Sequence, residues 1–187
     1  MTKLNVSYFE RPGRNNTEAT LKIALRRAEE LDIGTVIVAS STGETGVRAC
    51  EVFKGRKVVV VGSFTGFRRP NEQRFSPENR ATVERSGGIV LTASHVFTGV
   101  SRAAYLKFGT AGVDEIVRGV LYMFGQGMKV CCEIALMAAD AGAVRIDEEV
   151  ISIGGTGRGA DTAVVLQPVN LRDFFDLRIR EVLCKPR

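Results

Sequence analysis

Short apolar runs alternate with helical patterns along most of this chain. Residues 35–40 (TVIVAS), 57–63 (KVVVVGS), 88–94 (GIVLTAS), 148–153 (EEVISI) and 163–169 (AVVLQPV) are rich in β-branched side chains and bounded by Gly, Ser or Thr. That composition and length predict strands. The first three are continuous rather than alternating, as expected of parallel strands covered on both faces. Between them, residues 17–31 carry Leu21, Ala24, Leu25, Ala28 and Leu31 on one stripe, with Asn16 placed to cap the helix. Further helices are predicted over 43–53, 77–85, 113–124 and 128–141, the last two separated by Gly125-Gln126-Gly127. Strand–helix alternation of this kind predicts right-handed crossovers and a three-layer α/β/α fold with a mixed, mostly parallel sheet.

Both ends depart from the rhythm. Only nine residues separate Ile153 from Ala163, too few for a crossover helix, so these two strands are expected to pair antiparallel across a loop. Residues 6–9 read as a short extra strand before the Pro12-Gly13 turn, and 178–184 (RIREVLC) as a last edge strand. No internal boundary or repeat interrupts the pattern, so residues 1–187 are expected to form one domain.

Composition narrows the function classes. With 44% apolar and 25% charged residues, the chain is not expected to be disordered. No apolar run reaches the ~18 residues of a membrane helix, and no signal-peptide pattern opens the sequence. The four cysteines, Cys50, Cys131, Cys132 and Cys184, form no C-x-x-C. They read as buried structural thiols in a reducing cytoplasm. One histidine, His95, leaves no His pair for a metal. The net charge of +5 is mild. The densest basic stretch, from Arg68 and Arg69 to Arg85, is interleaved with Glu72, Glu78 and Glu84, which reads as a solvated face or an anion-attracting rim. Neither nucleic acid nor a membrane is an expected partner.

Glycine is the unusual count, 20 of 187 against a background near 7%. Many of these glycines fall in loops expected at the carboxyl ends of the strands, where open α/β sheets bind ligands. The first such loop is Ser40-Ser41-Thr42-Gly43-Glu44-Thr45-Gly46, which runs straight into a helix. Hydroxyls and free helix-start N–H groups there make a cup for a phosphate; the plainer alternative is that Ser41 or Thr42 only caps the helix. The second loop, Gly154-Gly155-Thr156-Gly157-Arg158-Gly159-Ala160-Asp161-Thr162, precedes a strand rather than a helix, so it is not a dinucleotide fingerprint. It reads as a flexible glycine hairpin or as a polar clamp built on Arg158 and Asp161. Ser63 ends the second strand with Phe64 and Phe67 nearby, and Ser94-His95 ends the third. His95 is the side chain whose ordinary titration range includes neutrality, and it reads either as a polar loop residue or as an acid/base.

The order of these parts is that of a known family. A capped helix before TVIVASSTGETG, then KVVVVGS and GGIVLTAS, then IDEEVISIGGTGRGADTAVVLQPV, with YFERPGRNNTEAT, KVCCEIALMAADAG and FDLRIREVLCKPR as further detail, resembles the C-terminal α/β domain of pyruvate kinase. It is similar above all to small stand-alone archaeal proteins made of that domain. The resemblance implies a core sheet in order 3-2-1-4-5 with its fifth strand antiparallel, and one crevice shared by residues 40–46 and 154–162. In pyruvate kinase those loops hold a sugar bisphosphate effector through a lysine and an arginine, where this chain has Ser41 and Glu44. Without the catalytic barrel, phosphoryl transfer to pyruvate is not expected.

For the stand-alone group the resemblance implies a ligand like flavin mononucleotide (FMN). The leading expectation is therefore a binding protein for a phosphorylated small molecule. Its ligand set comprises Ser40, Ser41, Thr42, Gly43, Glu44, Thr45, Ser63, Ser94, His95, Gly155, Thr156, Arg158, Asp161 and Thr162. The alternatives are a small flavin-dependent or hydrolytic enzyme using His95, and a structural module that forms a homo-oligomer.

Overall fold

The computed structural model describes residues 5–187. Seven strands form one sheet: β1 (Ser7–Phe9), β2 (Thr35–Ala39), β3 (Lys57–Gly62), β4 (Ile89–Thr92), β5 (Val150–Gly154), β6 (Thr162–Gln167) and β7 (Arg178–Pro186), in spatial order β1-β7-β6-β5-β2-β3-β4. The five strands expected from the apolar runs stand in the expected order, with β5 and β6 antiparallel and β2 parallel to both β3 and β5. The sheet is longer than the five-stranded core, because β7 adds antiparallel to β6 and β1 adds parallel to β7. Residues 178–184 were expected to form an edge; instead β7 lies between β6 and β1, and the short β1 is the edge on that side. Glu148 and Glu149 lie outside β5, since their charged side chains are exposed where the strand enters the core.

Helices α1 (Thr17–Glu30), α2 (Glu44–Val52) and α3 (Pro77–Arg85) cover one face, and α6 (Gln126–Asp140) covers the other. Strand alternation sorts the core. Val36, Val38, Val58, Val60, Ile151 and Ile153 face Leu21, Ala24, Ala49 and Phe53. Ile37, Val59, Val61, Val164 and Leu166 face Met128, Cys131, Ile134 and Ala135. Of the α1 stripe, Leu21, Ala24 and Ala28 are buried and Leu25 half-buried, while Leu31 at the fraying last turn is exposed. Asn16 does not cap α1. It has helical backbone angles, and its amide donates to the Arg11 carbonyl at 2.7 Å, because a 3-10 turn over Arg14–Asn16 precedes the helix.

Between β4 and the helix expected over 113–124 an additional helix forms, α4 (Gly99–Phe108), and α5 (Val113–Tyr122) follows it. All four cysteines are free and buried. Burial raises the Cys132 thiol to about 12 and the Cys184 thiol to about 11, so they stay protonated and inert at neutral pH.

Close helix–sheet contact depends on glycine. A Cβ on Gly46 would lie 2.4 Å from Cγ1 and 3.1 Å from Cγ2 of Val60. We expect Gly46→Ala to cost roughly 1–3 kcal/mol by overpacking. In Val60→Ala only the Cβ, 3.3 Å away, remains, so the double variant should lose less than the sum of the two single losses in a urea-melt cycle. Strict additivity would contradict this packing account.

Candidate functional site

Parallel β2 and β5 are neighbours, so the loops that leave them, 40–46 and 154–162, emerge side by side at one sheet edge. The amino ends of α2 and α3, each following a strand, lie at the same edge. So do the starts of α1 and α6, where the Ala160 N–H donates to Thr17 Oγ1 at 3.0 Å and Gly127 packs against Thr162. Four helix starts therefore point partial positive charge at one rim.

In the first loop Ser40, not Ser41 or Thr42, serves the helix: its buried hydroxyl accepts from the Gly46 N–H at 3.1 Å. Ser41 Oγ accepts from the buried Ser63 hydroxyl at 3.2 Å. The Glu44 and Thr45 N–H groups, in the first turn of α2, have no acceptor among the described residues. Thr42 turns its carbonyl to Ser76 N–H and the Asn79 amide, at 3.2 and 2.9 Å. Gly43 has φ +95° and leaves no room for a side chain, because an added Cβ would meet Asn79 at 2.4 Å and Phe75 at 2.7 Å. Its smallness admits the chain's own Phe75 rather than leaving open backbone.

The second loop is organised by Asp161, which is wholly buried. Its Oδ2 accepts from the Gly13 and Thr156 N–H groups at 2.9 and 3.1 Å, and its Oδ1 from the Thr162 hydroxyl at 2.8 Å. Asp161 and Thr162, expected at the ligand, thus spend their polar atoms on tying the N-terminal turn to the loop. Gly155 is likewise packed, its Cβ direction filled by the Gly159 carbonyl at 2.3 Å. Thr156 is half-buried, and Arg158 projects from the loop tip, exposed.

The third part lies beyond β3 and β4. Phe64, Phe67 and His95 form an aromatic cluster with ring centroids 5.1–5.4 Å apart. Phe64, Ser94, His95, Thr98, Gly99 and Arg102 line a depression of about 260 Å³. Arg102 lies 3.9 Å from the nearer Glu115 oxygen, beyond hydrogen-bond range, so its guanidinium is not closed off. Behind His95, Lys129 and Glu133 form a buried ion pair on α6, and Glu133 also accepts from the Phe97 N–H at 3.2 Å. Burial holds the His95 imidazole below its ordinary range, reinforced by Lys129 and opposed by Glu133, so it is neutral at pH 7.

The family model for the pyruvate kinase alpha/beta domain matches residues 18–166. The chain belongs to that family. Solved structures similar to it include Cryptosporidium parvum pyruvate kinase in complex with ADP, at 10% identity and TM-score 0.37, over 80% of this chain and 22% of that one. Another is a mutant of O-ureido-L-serine synthase with O-ureido-L-serine bound, at 16% identity and TM-score 0.32, over 72% of this chain and 49% of that one. The chain thus spans about a fifth of the length of the pyruvate kinase it matches.

Within this pyruvate kinase-type domain, the expected site residues divide into three groups. Ser41, Thr42, Glu44, Thr45, Ser63, Thr156 and Arg158 stand at the β2, β3 and β5 ends, and Ser94 and His95 sit beyond β4. Ser40, Gly43, Gly155, Asp161 and Thr162 are frame. Thr98, Arg102, Lys129 and Glu133 were not foreseen; the first two belong to the missed α4 region, and the buried pair is an i, i+4 Lys–Glu spacing that a surface helix would also show. Among the described residues no helix is long and apolar enough to cross a membrane, and no cluster of three or more His, Cys, Asp or Glu is arranged for a metal.

Two outcomes follow. Asp161→Ala strands two backbone N–H groups, and we expect a loss of roughly 2–4 kcal/mol in urea melts, given ~1–3 kcal/mol per unsatisfied buried donor. For His95, a folded value below the unfolded ~6.5 means that its stability contribution is full above that pH and is lost as pH falls toward the folded value. The melting temperature of the wild type should drop more between pH 7 and pH 5.5 than that of His95→Gln; equal drops would remove His95 from the acid response.

Proposed function

We propose that this domain binds a phosphorylated small molecule across the strand-end crevice, with FMN the first candidate. The observation that carries the reading is the placement of charge. Arg11, Arg14, Arg68, Arg69, Arg74 and Arg158 all belong to loops at this edge, and none has a carboxylate partner among the described residues. Away from the edge most arginines do pair, as Arg27 with Glu181, Arg48 with Glu18, Arg145 with Asp147 and Arg180 with Glu149, while Arg56 and Arg85 donate to the Ile33 carbonyl and the Thr82 hydroxyl instead. Unneutralised guanidinium groups beside helix starts raise the local concentration of anions.

The chain's residues fit the parts of such a ligand. Ser41 and Thr42 hydroxyls with the Glu44 and Thr45 N–H groups offer donors to one phosphate, and Arg158 at the facing loop tip adds charge. The exposed Glu44 carboxylate stands at the helix start, which favours a single phosphate over a bisphosphate on charge grounds. The depression at His95, about 260 Å³, is smaller than the ~300–1,000 Å³ of a complete ligand pocket, so it takes a ring rather than a whole nucleotide. Phe64 and the neutral His95 supply its wall, Ser94 and Thr98 hydroxyls its polar contacts. β2 and β4 are two strand spacings apart, about 9–10 Å, a gap that a ribityl chain bridges past Ser63. A bound flavin would supply redox chemistry; the residues named here bind and orient it.

Thermal shift and flavin-fluorescence titration test the reading. FMN at 100 times its dissociation constant should stabilise the protein by about 2.7 kcal/mol, riboflavin without the phosphate should bind at least tenfold more weakly, and Ser41→Glu should abolish the difference. Equal affinity for FMN and riboflavin would remove the phosphate cup, and no shift with FMN, sugar phosphates or nucleotides would overturn the proposal.

A further inference from the structure

Six residues line the depression beyond β4, and Arg102 is the charged one among them. Phe64 is apolar, His95 is held neutral by burial, and Ser94, Thr98 and Gly99 carry no charge. Arg102 has no hydrogen-bonded carboxylate either. Glu115, its nearest acid, turns Oε2 to Arg118. The other oxygen, Oε1, is buried, accepts no hydrogen bond among the described residues and stops 3.9 Å from Arg102 Nη1. Lys129 behind the depression is matched by Glu133. Arg118 and Lys129 are thus each answered by a carboxylate, and Arg102 supplies the charge left over.

The Arg102 side chain is 40% exposed, and its guanidinium carbon lies 5.2 Å from the centre of the Tyr105 ring. Contact with a ring face uses the charge of the group and leaves its N–H fork to other acceptors. The amino end of α4 meets the same depression, since Thr98 and Gly99 line it, and the first turn of α4 holds no acid. In α2, α3 and α5 that place is taken by Glu44, Glu78 and Asp114. Helix start and guanidinium therefore add potentials of one sign. Beside the apolar Phe64 this attraction is screened less than in open water.

A neutral ring gains little from such a field, whereas an anionic ring gains much. The oxidised flavin ring is neutral. Two-electron reduction with uptake of one proton leaves, above neutrality, an anion whose charge lies on the pyrimidine edge of the ring, and a charge beside that edge tunes the electronics of the flavin. On the reading that the crevice holds FMN, we propose that Arg102 makes this site bind the reduced, anionic flavin in preference to the oxidised one. The planar fork of a guanidinium matches a planar acceptor edge in shape as well as in sign. Lysine would keep the sign alone.

The potential of bound FMN, read anaerobically at pH 8 by equilibration with a redox dye, tests this. Reduced FMN should bind at least tenfold more tightly than oxidised FMN, which places the bound couple about 30 mV or more above free FMN. Arg102→Met should cut the preference to less than about threefold, and Arg102→Lys should leave an intermediate one. Both variants should keep the wild-type circular dichroism, since the side chain is partly exposed. They should also keep the wild-type ratio of FMN to riboflavin affinity, which reports the phosphate end. A bound potential at or below that of free FMN, or a shift that survives Arg102→Met, overturns the proposal; if FMN still outbinds riboflavin, the phosphate site stands without it. If neither redox form of FMN binds, both fall.

Discussion

The strand-end architecture hangs on one buried carboxylate. Asp161 receives N–H groups from Gly13 and Thr156 and the hydroxyl of Thr162, so it joins the N-terminal turn, the glycine loop and the start of β6. The turn in turn brings Arg14 against Gly159, whose missing side chain allows an approach that a Cβ would block at 2.6 Å. The same junction seats α1, through the Ala160 N–H on Thr17 and the Thr20 hydroxyl on the Ala160 carbonyl. A buried anion is stable only when its hydrogen-bonding capacity is met. Here that requirement fixes where three separate stretches of chain must meet.

Much of the fold was legible because β-branched runs and their short connections carry local information. Five strands, their order and the antiparallel β5–β6 pair follow from apolar periodicity, from a nine-residue gap and from the family's order of parts. What was not legible depends on long-range pairing. Whether 178–184 is an edge is decided by Ser7, Tyr8 and Phe9 pairing with Cys184, Lys185 and Pro186, across nearly the whole sequence. α4 was missed because its apolar residues, Val100, Leu106 and Phe108, do not fall on the single stripe that a core-facing helix shows. That irregularity fits a helix without a buried residue.

The site was legible in location more than in detail. Loop residues at strand ends were identified from glycine and hydroxyl content, yet most of these glycines have packing roles, Gly66 and Gly157 excepted. Gly43 makes room for Phe75 and Asn79, Gly46 for Val60, and Gly127 brings α6 against Thr162. A sequence records that a residue is small without recording what fills the space, so glycine excess alone does not separate ligand access from tight packing. The assignment of Ser40 as the group serving α2, which leaves Ser41 and Thr42 for other work, likewise rests on which hydroxyl reaches the Gly46 N–H.

α4 belongs to two surfaces at once. Gly99 and Arg102 wall the depression beside His95, while Leu106 and Phe108 a turn later lie bare. A helix this lightly held transmits constraint from one end to the other: whatever fastens its bare face also steadies the pocket wall. By thermodynamic reciprocity, whatever occupies the pocket then strengthens the hold on that face by the same factor. The helix is thus where a ligand beside His95 and a partner on the bare face, were both bound, would share one free energy.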